Sequence, residues 1–562
     1  MRREAVLAAP RAIAALALLA AATLVAGLYN GPQHEVPLLF WSALALVAWS
    51  WFEPLRPRAR HAAPAALLWI VWCMVSWRAS TSPSLSLAPT WSLLLLPVAL
   101  LGADASRHPR ALLATAAGCG AVLVALSLPE LIWGPRPRPR ALLDPNNVAT
   151  LTNMLWPLAV VALCSANSGP LQRGVGLLAT SGAAALVLVS SGSRAGLALA
   201  LFQLAFLAWG LGRAEAGRAL LPLCAGVLLG ALLAAGLVAG AAAQALSFDA
   251  EIAGRESSGL ALRLHMARAG LELWSTAPLT GTGPQTFHLL YGALRSPADP
   301  YTAGVYVHND WVQLLQELGL PALIALFVAF SWLSARGVRC LRGLQRARST
   351  DRGERLEELA LLLAVGATFV HAAVNFTFYV APISLLTGLM LGRLGALGAT
   401  AAGNGTRARR LPILGRVLAT LMLFPLAVDA VSAAALMGQS GMPGLTATTQ
   451  PRPGFARTLL ALAPDDSVPA LYLARFEQER AAAAPDADAR RYALATAVQY
   501  YELALARDAR NTSVHVAYAE LLAAFGGRLS LPGVGERRAG DLLRAAYAMA
   551  PLDPQVVVAL AG

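Results

Sequence analysis

The sequence predicts an all-α protein that crosses a membrane many times and carries a small helical domain near its C-terminal end. Three observations predict it. Of the 562 residues, 57% are hydrophobic and only 13% charged, and the mean hydropathy is +0.57. A soluble domain carries about a quarter charged residues, so this chain has too little polar surface to cover itself in water. Apolar runs of about 17–25 residues, the length that spans a bilayer, recur along the chain. Beyond residue 450 the long runs stop and Asp, Glu and Tyr become more frequent.

Taken in order, the runs centre on residues 12–29, 36–52, 63–77, 88–103, 110–128, 147–165, 173–190, 195–211, 219–243, 309–334, 357–376, 379–398 and 411–437. They give about 12–13 transmembrane helices in a domain over 1–440, with one long loop over about 244–308. The first run follows Met1, Arg2 and Arg3, as a secretory signal would. More apolar segments come directly after it, which favours an uncleaved first span.

Orientation follows from arginine. The chain has no Lys, so all 44 basic residues are Arg, and the formal net charge is +13. They are spread between apolar blocks rather than gathered on a soluble face, which argues against a nucleic-acid partner. Alternate loops are rich in them: Arg56, Arg58 and Arg60; Arg107 and Arg110; Arg173; Arg213 and Arg218; Arg336 to Arg355; Arg407, Arg409 and Arg410. Basic loops stay on the cytoplasmic side, so the N-terminus is expected in the cytoplasm and the C-terminal domain outside it.

Arginines also stand on the disfavoured side at three places. Arg136, Arg138 and Arg140 lie in a Pro-rich stretch. Arg194 lies in the tight link Ser190-Ser-Gly-Ser-Arg194-Ala-Gly196. Arg255, Arg263, Arg268 and Arg295 lie in the long loop. An anionic ligand at the outer leaflet accounts for such charge. A helix N-terminus beside Arg194 would add free N–H groups to an anion site, while snorkelling to lipid headgroups is the other account of that residue.

Within the loop, residues 257–274 read as a helix capped by Ser257 or Ser258, with Arg263, Ala267, Gly270 and Trp274 on one face. Gly281-Thr-Gly283-Pro284 is a turn into a second helix, and two glycines there are weak support for a phosphate loop. Val307-His308-Asn309-Asp310 then opens the span over 309–334, with Gln313 and Glu317 on the same segment. An imidazole at that boundary can hold or take a proton near neutral pH. A second polar set, His371, Asn375 and Tyr379, lies where the next outward span emerges.

Five cysteines, Cys73, Cys119, Cys164, Cys224 and Cys340, show no metal-ligand spacing and imply neither a disulfide framework nor a zinc site. In the C-terminal region a phrase recurs at Leu460–Asp466, Leu505–Asn511 and Tyr547–Asp553. Its spacing, longer than a standard tetratricopeptide repeat, suits degenerate helix–turn–helix repeats over 450–562, a small α-solenoid; a plain helical bundle is the alternative. A solenoid face offers a protein-binding surface.

The Ser-x-Ser-Arg-x-Gly link, the Arg263 helix with Gly281-x-Gly283 and Phe287, and the His308-Asn309…Glu317-x-Gly319 run together resemble the O-antigen ligase/polymerase family. Asp144-Pro-Asn-Asn147 and His371…Asn375-Phe…Pro382 extend the resemblance over about residues 140–400. It implies a GT-C-like membrane fold in a bacterial inner membrane. It implies glycan transfer from an undecaprenyl-diphosphate carrier on the periplasmic face, with neither metal nor cofactor. The acceptor it implies is lipid A–core, a growing glycan or protein, which separates ligase, polymerase and oligosaccharyltransferase. By that resemblance Arg194, Arg263 and His308 are catalytic, and Arg194, Arg263, Asn309 and Glu317 bind substrate. A transporter of the same lipid-linked sugar is the reading from another class. Transporters favour duplicated halves with a midplane site, and no duplicated half is legible here.

Overall fold

The structure is a computed structural model, and it describes residues 62–103, 145–165, 169–213, 217–244, 259–296, 304–346, 352–398, 453–462, 466–524, 527–531, 535–551 and 554–561, with scattered single positions between them. The expected spans near 12–29, 36–52, 110–128 and 411–437, the Arg136–Arg140 stretch and the Ser257/Ser258 cap lie wholly or largely outside the described residues.

In chain order the helices are α1 (Ala62–Arg78), α2 (Pro83–Ala103), α3 (Pro145–Ser165), α4 (Pro170–Ser191), α5 (Arg194–Arg213) and α6 (Gly217–Gln244). The loop region follows with α7 (Gly259–Thr276), α8 (Phe287–Leu294) and α9 (Asp310–Leu318), then α10 (Leu320–Arg346), α11 (Arg352–His371) and α12 (Ala381–Gly398). The C-terminal region holds α13 (Pro453–Leu462), α14 (Val468–Ala482), α15 (Ala487–Arg507), α16 (Thr512–Ala523), α17 (Ala539–Met549) and α18 (Pro554–Ala561). Between α16 and α17 lies the one sheet among the described residues, an antiparallel hairpin of β1 (Arg528–Leu531) and β2 (Gly535–Arg538).

Five of these helices are long and apolar enough to cross a membrane: α3, α4, α5, α6 and α10. Shorter apolar helices lie within α1, α2 and α12. Helices suit the bilayer because every backbone group is satisfied inside the segment. The protein is an all-α polytopic membrane protein, as its composition predicts.

The chain forms two compact units. One holds residues 1–71, 91–257 and 324–424; the other holds 72–90, 258–323 and 425–562. In the first unit α3 is the most buried of the candidate spans, with 83% of its most apolar window buried against 22% for α6. It packs on α4, α5 and α11. One amide ties three of these helices: Gln203 of α5 donates to the Asn153 carbonyl of α3 (2.9 Å) and the Leu363 carbonyl of α11 (3.0 Å), and accepts from the Trp156 indole (2.7 Å). Between α4 and α6 small residues let backbones touch, and a β-carbon on Gly230 would fall on the Gly182 carbonyl. Near the other end, Glu358 of α11 pairs with Arg336 of α10 (2.8 Å) and Glu357 with Arg393 of α12 (2.7 Å). All four side chains are nearly buried, and charges so placed need partners.

In the second unit a small core of Met266, Ala269, Phe287, Tyr291 and Val307 holds α7, α8 and the approach to α9 together. A larger core of α14–α17 includes the stacked Tyr501 and Tyr518. Burial and a hydrogen bond to Glu502 push the Tyr518 phenol well above its ordinary range. The recurring phrase falls at helix junctions each time: α13 to α14, α15 to α16 and α17 to α18. Helix α17 packs against α8, where a β-carbon on Gly292 would stand 2.7 Å from the Met549 carbonyl.

The span expected over 357–376 ends at His371 and is not among the helices apolar enough to cross, and another span is broken. Where one helix is expected over 309–334, α9 ends at Leu318 and α10 starts at Leu320. Gly319 between them has φ 76, a conformation glycine adopts without strain, and a β-carbon there would strike the Leu279 carbonyl. The close approach of the Pro278–Gly283 turn makes the break.

Candidate functional site

The expected site residues fall in both units: Arg194 in the first, and Arg263, His308, Asn309 and Glu317 in the second. Each group has its own geometry.

In the first unit α4 ends at Ser191, and Gly192 turns the chain in the left-handed region (φ 67), its N–H bonded to the Val189 carbonyl. Ser193 then starts α5: its Oγ accepts from the Gly196 N–H (3.2 Å) and its carbonyl from Leu197 N–H (2.9 Å). This is a helix N-cap. Arg194 is therefore the first residue of α5, exposed, and it makes no ion pair or hydrogen bond with any described residue. A cation at the positive end of a helix dipole is disfavoured on its own. Together, the guanidinium and the N-terminal N–H groups form a place where an anion is welcome.

Behind this link lie buried polar side chains: Asn147, Thr150 and Asn153 of α3, His371 at the end of α11, and Asn375 just beyond it. Asn375 Nδ2 donates to Asn147 Oδ1 (2.7 Å), and Thr150 Oγ1 lies 2.7 Å from His371 Nδ1. The sequence reading picked out His371 and Asn375 as a polar set; it missed Thr150 and Asn153, which look like ordinary span residues.

In the second unit the Pro278–Gln285 turn lies along α9. Thr282 and Gly283 donate from their backbone N–H groups to the Gln316 and Glu317 carbonyls (3.0 Å each), and Leu320 N–H donates to the Pro278 carbonyl (3.0 Å). From α1, Trp72 donates to the Leu318 carbonyl (2.8 Å) and Ser76 to that of Glu317 (2.9 Å). These bonds satisfy carbonyls that the end of a helix leaves open. The helix expected after the Gly281–Pro284 turn starts at Phe287, after Thr286.

Glu317 is fully buried, and both carboxylate oxygens are engaged. Oε2 accepts from the Gln285 backbone N–H (2.5 Å) and Oε1 from Gln313 Nε2 (3.0 Å). Gln313 Oε1 in turn accepts from the Val307 N–H (3.0 Å). The two ends of this chain of bonds reach two unusual places. Gln285 (φ 54) and His308 (φ 57) are the non-glycine residues with positive φ among the described ones. A side-chain residue there costs about 1–2 kcal/mol. Such strain persists where the surroundings fix it, and it gathers at functional sites.

Asn309 follows His308 and caps α9, its side chain accepting from Trp311 N–H (3.0 Å) and Val312 N–H (3.2 Å). His308 is thus held on both sides, by Gln313 through Val307 and by the Asn309 cap. Arg263 is half-buried on α7, a helix that packs on α9, with Gly270 against Val307 and Val312. On α8, Tyr291 donates to Asp299 (2.8 Å), and burial with that carboxylate raises the phenol above its ordinary range. The partners of Glu317, notably Gln285, were not legible in sequence.

The fold and these two helix starts define a class: an α-helical membrane protein that presents arginine and a fixed histidine at the ends of its helices. A profile of the family described as O-Antigen ligase matches residues 179–327. The chain is O-antigen ligase-like over that stretch, which runs from α4 to the start of α10 and contains Arg194, Arg263, His308, Asn309 and Glu317. The match supports a function of the O-antigen ligase or polymerase type in general. No curated protein matches the chain.

Proposed function

We propose that the protein transfers glycan from an undecaprenyl-diphosphate carrier to an acceptor on the periplasmic face of a bacterial inner membrane, with lipid A–core as the acceptor of the ligase reading. The observation that carries this is the coincidence of the family match with all five site residues, Arg194, Arg263, His308, Asn309 and Glu317. The orientation it requires, N-terminus in the cytoplasm and C-terminal helices outside, is the one the alternating arginines favour.

In this reading Arg194 and Arg263 bind the diphosphate. Guanidinium forks match its oxygens and stabilise the charge that builds on the leaving group. The acceptor hydroxyl oxygen attacks the anomeric carbon of the donor sugar. The bond from that carbon to the phosphate oxygen breaks, and undecaprenyl diphosphate leaves as an anion. His308 takes the proton of the acceptor hydroxyl. Asn309 lies beside it at the substrate and caps α9, while Glu317, buried with both oxygens engaged, supports the direction of His308 through Gln313 and Val307. The C-terminal helices give a partner or acceptor a surface.

Deleting the gene and examining surface glycan on a gel tests the reading. Loss of a ligase leaves full-length chains on the carrier and bare core. Loss of a polymerase leaves core with a single repeat and moves the assignment to chain extension. An unchanged profile contradicts both.

A further inference from the structure

The first unit contains a buried histidine that the proposed reaction does not use. His371 ends α11 and is 1% exposed. Its Nδ1 lies 2.7 Å from Thr150 Oγ1 on α3, and its Nε2 lies 3.5 Å from Ser193 Oγ, the cap of α5. The hydroxyl protons order these contacts. Thr150 Oγ1 also lies 2.9 Å from the Asn146 carbonyl, to which it donates. The tautomer that suits both neighbours carries Nδ1–H toward Thr150 and leaves Nε2 to accept from the Ser193 hydroxyl. Ser193 Oγ, held from that side, keeps a lone pair on the Gly196 N–H (3.2 Å).

The rest of the link has little freedom. Asn153 Nδ2 donates to the Gly196 carbonyl (2.8 Å), and a β-carbon on Gly196 would stand 2.7 Å from Ala149 Cβ. The Ser193 N–H is itself held by Ser191 Oγ (3.2 Å). The backbone of the first turn of α5 is therefore seated on α3, and its cap is tied through one imidazole to α3 and α11. The next residue after the cap is Arg194.

We infer that His371 is a positioning residue for Arg194: through Ser193 it fixes the first turn of α5 in the orientation that presents the guanidinium and the helix N-terminus to the donor diphosphate. The inference rests on the reading that Arg194 holds that diphosphate. It assigns His371 to donor binding rather than to proton transfer, since its ring nitrogens are turned to Thr150 and Ser193.

The test uses the full chain in proteoliposomes, with an undecaprenyl-diphosphate oligosaccharide as donor and a core glycolipid as acceptor. His371→Leu keeps the volume and removes both ring nitrogens. It should raise the donor KM roughly five- to tenfold, the scale of a lost hydrogen bond, with kcat and acceptor KM near wild type. His371→Gln, which can place an amide oxygen near the Nε2 position, should restore most of the donor KM; a purely space-filling role would favour Leu over Gln. Ser193→Ala should repeat the defect, and adding His371→Leu to it should worsen it little. A wild-type donor KM in His371→Leu overturns the inference; if that variant does not fold, a wild-type donor KM in Ser193→Ala does so. Arg194→Ala separates the two layers. A wild-type donor KM in Arg194→Ala sinks the reading of Arg194 itself, whereas a raised one beside a normal His371→Leu sinks only the role of His371.

Discussion

Two helix starts carry the residues of greatest interest, built on one plan with the reactive residue in different slots. In the first unit Gly192 takes the left-handed position (φ 67), Ser193 caps, and Arg194 begins α5. In the second, His308 itself takes the left-handed position (φ 57), Asn309 caps, and Asp310 begins α9. The difference shows where the molecule accepts strain. In the first start a glycine fills the strained slot at no steric cost and Arg194 stays exposed, as a residue proposed to bind by reach and charge should. In the second the slot gives His308 the fixed direction that its proposed role asks for. The clamp from Glu317 through Gln313 to Val307 holds that direction in place.

The largest expected effect tests whether both starts serve one reaction. His308→Ala and Arg194→Ala should each lower glycan transfer by about 10²–10³-fold or more, on the scale of a lost general base or a lost charge stabiliser, with unchanged expression and membrane insertion. Transfer assays on membranes of equal protein content measure this. Full activity in either variant removes that residue from the mechanism.

Next comes the carboxylate clamp of the second start. Glu317→Ala leaves the Gln285 N–H and the Gln313 amide buried without their acceptor. Each such loss costs about 1–3 kcal/mol, so the variant should melt well below wild type and transfer poorly. Glu317→Gln keeps one acceptor oxygen and should fall between the two. Denaturation followed in detergent reads this order, and equal stability of all three would dissolve the comparison.

A smaller effect has opposite signs at the two starts. His308→Gly relieves the left-handed strain and should stabilise the fold by about 1 kcal/mol while abolishing transfer; Gly192→Ala introduces the same strain and should destabilise by a similar amount. Matching signs would show that the two slots are not equivalent. The smallest effect lies away from both: Gln203→Leu breaks the bonds joining α3, α5 and α11 and should cost about 0.6–1.7 kcal/mol, as interhelical hydrogen bonds in membranes do.

Much of this was legible in sequence, and the reasons are particular. Spans such as α3 to α6 declare themselves by apolar length, and Arg194 by breaking the alternation of Arg-rich loops in a tight link. His308 drew notice through its polar neighbours Asn309, Gln313 and Glu317 on one segment. Its left-handed backbone did not, because φ there is set by Gln313 and Asn309 acting together on a folded turn. The break at Gly319 also stayed hidden: one glycine in a helical run is tolerated, and only the close approach of Leu279 demands it. Thr150 and Gln203 sit in apolar runs, where a single polar residue carries no pattern until a partner from another helix meets it.

The central claim, that Arg194 and His308 serve glycan transfer from a lipid diphosphate, is tested most directly by one reconstitution. Full-length protein in vesicles would receive an undecaprenyl-diphosphate oligosaccharide and a core glycolipid, and undecaprenyl diphosphate release would be measured together with glycan appearing on the acceptor. The account predicts equal amounts of both with wild type and neither with His308→Ala. Glycan moving across the vesicle membrane still attached to its carrier, or His308→Ala matching wild type, would contradict it.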